Sequence, residues 1–209
     1  MTTIIDYGVG NLFSLACSLE KIGESVEITS DTDKILAAER IILPGVGAFE
    51  DAARKLRESG LDRVVLKKAA LGTPILGICL GMQILFEKSY EFGEHEGLGL
   101  IPGSVKPIAP VIGQLKSPQM GWNALIFPEG KPKHAIFKYI NEGDYVYFVH
   151  SYAAMDCDDS VTALTEYGAP LTAAACRDNV CGTQFHPEKS GNVGLAILRA
   201  FTEIPATQL

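Results

Sequence analysis

The feature that most narrows the fold is a rhythm in the first ninety residues, where short apolar runs alternate with longer amphipathic ones. Thr3 to Ile5, Val26 to Thr29, Arg40 to Leu43 and Pro74 to Ile78 are strand-length, apolar, and closed by Gly or polar turns. Between them, Leu12 to Ile22, Phe49 to Ser59 and Leu61 to Ala70 carry apolar residues at helical spacing. Strands apolar on both faces, joined by helix-length connections, are parallel strands of an α/β sheet with helices on its faces.

After Gly97 the rhythm breaks. Pro102, Pro107, Pro110, Pro118 and Pro128 divide the chain into pieces too short for crossover helices, which predicts an antiparallel β extension in the second half. Tyr145 to His150, Thr172 to Arg177 and Val180 to Phe185 are expected to close the core, and Gly191 to Thr202 to form a last helix. The 209 residues suit one domain, 1–209, an open, mostly parallel sheet flanked by helices, with 47% hydrophobic residues to fill it.

The start of the chain has neither the basic residues nor the apolar stretch of a signal peptide, and no run reaches membrane-spanning length. Five scattered cysteines, at 17, 79, 157, 176 and 181, are therefore expected as reduced thiols of a cytoplasmic protein. A net charge of −7 without a basic stripe argues against nucleic-acid binding. Cys176 and Cys181 bring no His or second Cys pair in sequence, so no metal site is expected, nor any cofactor.

One cysteine stands apart. Cys79 sits in Gly77-Ile78-Cys79-Leu80-Gly81, after a strand and before a helix expected over Met82 to Glu87, the pattern of a nucleophile elbow with Cys in place of Ser. The turn is so sharp that side chains two residues to either side would collide, and both positions are Gly. The first turn of the following helix favours a thiolate at this place. Cys17 and Cys176 fall at ordinary core positions, and Cys157 lies among Asp156, Asp158 and Asp159, a setting that raises a thiol's pKa.

A general base is needed, and His186 is the best placed of His95, His134, His150 and His186. Pro187 keeps it extended, so Glu188, two residues on, shares its face and can orient the imidazole. Cys79, His186 and Glu188 then form a triad for attack on a carbonyl carbon, with His150 as the alternative base. The oxyanion is expected to meet the amide of Leu80 and those of the Pro44-Gly45-Val46-Gly47 loop, chiefly Val46 and Gly47. Gly8-Val9-Gly10-Asn11 resembles a nucleotide-binding turn but has Phe13 where the third glycine belongs.

Gly77 to Gln83, the Pro44 to Gly47 loop and Phe185-His186-Pro187-Glu188 together resemble triad (class I) glutamine amidotransferases. Within them, Ile5 to Leu12, Pro44 to Phe49, Met120-Gly121-Trp122-Asn123, Tyr147 to Tyr152 and Gln184 to Ser190 resemble the glutaminase subunits of imidazole glycerol phosphate synthases, nearly end to end. The resemblance implies glutamine hydrolysis through a Cys79 thioester, with ammonia passed to a (β/α)8-barrel cyclase in a heterodimer of histidine biosynthesis. It further implies that Gly45, Gln83, Ser151 and Tyr152 hold substrate, and that Asn11, Trp122 and Lys189 face the cyclase. Two positions depart from the pattern: Gln119 where His often precedes Met-Gly-Trp-Asn, and Ala153 where an aromatic often follows His-Ser-Tyr.

Overall fold

A computed structural model describes residues 1–205. In chain order the elements are β1 (Thr2–Ile5), α1 (Leu12–Lys21), β2 (Val26–Thr29), α2 (Thr32–Ala37), β3 (Arg40–Leu43), α3 (Phe49–Glu58), α4 (Leu61–Ala70) and β4 (Ile75–Ile78). There follow α5 (Leu80–Leu85), β5 (Phe86–Ser89), β6 (His95–Glu96), β7 (Ile101–Pro107), β8 (Gln119–Ala124), β9 (Tyr145–His150), β10 (Tyr152–Met155), β11 (Val161–Glu166), β12 (Pro170–Arg177), β13 (Val180–Thr183) and α6 (Gly191–Glu203).

The main sheet has the order β11-β12-β13-β4-β3-β1-β2. Its β2, β1, β3, β4 and β13 run parallel, and β12 and β11 extend it antiparallel. Every residue of β1, β4 and β13 is buried, as the unbroken apolar runs demand of strands covered on both faces. One apolar cluster packs α3, α4 and α5 on one face; the other packs α1 and α6 on the opposite face. Lys68 of α4 is also buried, yet its Nζ donates to the carbonyls of Leu36 and Ala38 at 3.0 and 2.7 Å, satisfying acceptors at the end of α2.

Several expectations are corrected. Tyr145–His150 does not join the main sheet: β9 pairs with β8 in a separate antiparallel ribbon, while β12 and β13 close the core. Burial alternates along β9, and that period of two marks a strand covered on one face rather than a central one. The helix after the elbow spans Leu80–Leu85 and gives way at Phe86 to β5, so Phe86 and Glu87 are strand, in a second sheet ordered β10-β7-β5-β6. A short helix, α2, is capped by Asp31 where no helix was expected. Pro102 and Pro107 lie within β7 itself.

The cysteines also differ from expectation. Cys176 and Cys181 are disulfide-bonded rather than reduced, because the β12–β13 hairpin sets them directly opposite one another. Cys17, assigned to the core, is exposed on α1, and Cys176 is only partly buried. Cys157 does have a raised pKa, but burial is the larger cause and the neighbouring aspartates the smaller. Among the described residues no helix is long and apolar enough to cross a membrane.

Candidate active site

Parallel strands deliver their C-terminal ends to one edge of the sheet, where open α/β folds bind ligands. The loops after β1, β3, β4 and β13 all emerge there, carrying Asn11, Pro44 to Gly47, Cys79 and His186.

Cys79 occupies the turn between β4 and α5 with φ 55° and ψ −112°, a backbone conformation that non-glycine residues rarely adopt. Its amide donates to the Thr183 carbonyl at 2.7 Å, and its carbonyl accepts from the Gln83 amide at 3.2 Å, so both backbone bonds hold it there. The flanking glycines are required by close approach. A Cβ on Gly77 would lie 2.7 Å from the Gly81 carbonyl oxygen, and one on Gly81 would overlap the Leu43 carbonyl.

The loop after β3 lies against this turn so closely that a Cβ on Gly45 would come within 2.5 Å of the Gly81 amide nitrogen. Tyr7 anchors it by donating from its hydroxyl to the Pro44 carbonyl at 2.6 Å, and Gly47 takes φ 96°. Leu80, the first residue of α5, has an amide without an intrahelical acceptor. Val46, Gly47, Cys79 and Leu80, the residues expected around an oxyanion, line one cavity of about 370 Å³.

His186 and Glu188 stand in the same place. His186 is extended (φ −97°, ψ 101°), as Pro187 dictates, but Glu188 lies in a 3-10 turn, Pro187–Lys189, rather than on a continuing extended segment. The turn still brings Glu188 Oε1 to 2.8 Å from His186 Nδ1, with both side chains nearly inaccessible. Burial opposes protonation of His186, yet hydrogen bonding to Cys79 and to Glu188, and the charges of both, outweigh it and raise its pKa to about 9.

His150, the alternative base, is used otherwise. Its Nδ1 meets the Tyr152 carbonyl and its Nε2 meets Gln119 Oε1, each at 2.8 Å, and burial pushes its pKa down to about 4. A neutral imidazole has a single N–H for these two acceptors, so His150 donates to one of them and braces the cavity wall. Gln119, one of the two departures from the family pattern, thus receives a defined role.

The expected substrate-holding residues line the same cavity in part: Gln83, Ser151 and Tyr152 do, whereas Gly45 lies behind, in a small void shared with Asn11, His186 and Glu188. Gln83 commits both amide hydrogens, to the Tyr152 carbonyl at 3.0 Å and Gln184 Oε1 at 2.9 Å. Of the residues expected to face a partner, Trp122 is half exposed and Asn11 exposed, and Lys189 also lines the cavity. Tyr147, opposite Trp122 in the β8–β9 register, joins two of them, with its ring 6.1 Å from Trp122 and 6.0 Å from Lys189 Nζ.

Two further neighbours were given no role from the sequence. Glu91 lines the cavity and accepts the Phe49 amide at 2.6 Å; it lies in an acidic loop with no local pattern to single it out. Gln184, wholly buried, donates to Cys79 Sγ at 3.7 Å; only its place two residues before His186 hinted at this.

The two buried histidines make opposite contributions to stability. His150 binds its proton more weakly folded than unfolded, where the pKa is about 6.5, so its contribution is lost as pH falls from about 6.5 through about 4. His186 binds its proton more strongly, so its contribution is complete below about 6.5 and lost as pH rises through about 9. Thermal midpoints measured from pH 4 to 9 should peak near pH 6.5. The acid limb should flatten in His150→Gln; an unchanged limb would remove His150 from the account.

The chain matches known proteins along its length. The profile of the family described as Glutamine amidotransferase class-I covers residues 3–203. A protein of Carboxydothermus hydrogenoformans named imidazole glycerol phosphate synthase subunit HisH is 50% identical over 98% of this chain and all of its own length. A protein of the same name from Wolinella succinogenes is 48% identical over the same shares. Among solved structures, PurLQS from Thermotoga maritima aligns over 96% of each chain with TM-score 0.68 at 22% identity, a likeness of fold.

Proposed function

The chain belongs to the class-I glutamine amidotransferases, and on that footing we propose that it is the glutaminase subunit of imidazole glycerol phosphate synthase, releasing ammonia from glutamine for histidine biosynthesis. Identity near 50% over the full length of relatives bearing that subunit name carries the assignment of substrate and pathway. The observation that supports the chemistry is the elbow cysteine sharing a cavity with His186, whose Nδ1 lies 2.8 Å from Glu188 Oε1.

In the proposed reaction the Cys79 sulfur attacks the side-chain carbonyl carbon of glutamine, and the amides of Leu80 and of the Val46–Gly47 segment receive the developing oxyanion. Collapse breaks the C–N bond; His186 gives its proton to the departing nitrogen, and ammonia leaves a γ-glutamyl thioester on Cys79. Water then attacks the thioester with His186 as base, the C–S bond breaks, and glutamate departs. Gln83, Ser151 and Tyr152 hold the amino-acid end, and the Glu91 carboxylate is suited to its ammonium group.

Ammonia is consumed by a cyclase subunit with a (β/α)8 barrel, in a cytoplasmic heterodimer. Its docking face includes Asn11, Trp122 and Lys189, of which Trp122 presents a half-exposed aromatic of the kind that anchors interfaces. Glutamate release from glutamine should be slow in the isolated chain and rise at least tenfold when the cyclase and its nucleotide ligand are added. Full turnover without the cyclase would indicate a self-sufficient γ-glutamyl hydrolase instead.

A further inference from the structure

Away from the cavity, the described residues hold one cluster of three metal-ligating side chains: His134, Cys176 and Cys181. In sequence the two cysteines lack a third ligand; the fold supplies one from 42 residues away. The β12–β13 hairpin sets Cys176 opposite Cys181, with Cα atoms 4.1 Å apart. His134, just before the 3-10 turn Ala135–Phe137, places Nδ1 3.7 Å from Cys176 Sγ, and the three donor atoms lie within 4.8 Å of one another.

Two sulfurs and one imidazole nitrogen form a donor set of zinc-class ions, whose bonds of about 2.3 Å to sulfur and about 2.0 Å to nitrogen put neighbouring S and N ligands roughly 3.5 Å apart in a tetrahedron. The observed S···N separation is close to that. The His134 imidazole is partly buried beside the two sulfurs. The Nδ1 atom accepts only a long bond, 3.4 Å, from the Ile136 amide, a partner readily given up.

We propose that in its dithiol state the chain binds a zinc-class cation here, through the thiolates of Cys176 and Cys181 and Nδ1 of His134, with water as fourth ligand. Binding releases the two thiol protons to solvent and changes no oxidation state. The disulfide excludes the ion; a dithiol reductant of the thioredoxin class opens it, its own two thiols becoming a disulfide as Cys176 and Cys181 each gain a proton. The cation would tie the β8–β9 connection, which carries His134, to the hairpin of the main sheet. Cys181 stands near the start of β13, and Thr183, which holds the Cys79 amide, stands at its end, so the site is separate from the reacting atoms.

The test uses the reduced full chain with Cys79→Ala, which removes the catalytic thiol as a competing ligand. Titration with Co²⁺ should give a thiolate-to-cobalt absorption band that saturates at one equivalent and is displaced by Zn²⁺. The band should vanish in Cys176→Ser and in Cys181→Ser and need at least tenfold more metal in His134→Ala. Saturating Zn²⁺ should also raise the thermal midpoint, and in the chain without substitutions it should shield Cys176 and Cys181, but not the exposed Cys17, from alkylation mapped by mass spectrometry. No band, a band indifferent to the two cysteine substitutions, or equal alkylation with and without Zn²⁺ would overturn the proposal.

Discussion

Replacing Cys79 by Ala should lower glutamine-dependent synthesis by the complex about 10⁴-fold or more, while synthesis from added ammonia stays near the level of the unsubstituted complex. The contrast arises because, in the proposed mechanism, Cys79 serves only the step that frees ammonia and the carbon chemistry belongs to the cyclase. The substitution is also mild for the fold. The backbone bonds to Thr183 and Gln83 do not involve the thiol, and Ala meets the same cost at φ 55° that Cys already bears. Normal binding of the variant to the cyclase, with glutamine use abolished, is the expected pattern. If glutamine use fell less than tenfold, the nucleophile would lie elsewhere.

Glu188→Gln should cost about 10³- to 10⁴-fold in kcat and leave KM for glutamine within a few-fold of its original value. The amide has the carboxylate's shape, so His186 keeps its position, but the negative charge that helps hold the imidazolium is gone. A side-chain amide can also offer N–H to Nδ1 and so favour the wrong tautomer. The proton needed by departing ammonia then becomes scarce, and the alkaline limb of the pH–rate profile should move to lower pH. A purely structural role for Glu188 would instead reduce thermal stability and leave that profile in place.

The central sheet was legible because its strands are apolar on both faces and its helices on one, so the periodicities of two elements never competed. The elbow was legible for a steric reason: Gly77 and Gly81 are the residues that Cβ collisions leave available, and the contacts bear this out. His186 and Glu188 were found through Pro187, although the bond between them forms through a 3-10 turn rather than an extended strand.

What stayed hidden depends on contacts between distant segments. Nothing local distinguishes Tyr145–His150, paired with Gln119–Ala124, from a strand of the main sheet until its neighbours are known. Glu91 comes to the cavity from the loop between β5 and β6, and Gln184 acquires its significance from a sulfur 105 residues earlier. The Cys176–Cys181 bond required knowing that the two residues face each other across a hairpin, and His134 required the whole fold. Composition correctly marked the abundance of apolar residues, but it carries no information about which cysteines meet.

Trapping the acyl-enzyme tests the central claim most directly. The chain, assembled with its cyclase and the cyclase's nucleotide ligand, would be mixed with glutamine, quenched in acid within the first turnovers, digested and examined by mass spectrometry. The mechanism predicts a γ-glutamyl adduct on the peptide containing Cys79, labile to hydroxylamine as a thioester is, and more abundant in His186→Asn if deacylation slows more than acylation. An adduct on another residue, or rapid glutamate release in a complex whose Cys79 has been fully alkylated beforehand, would contradict it.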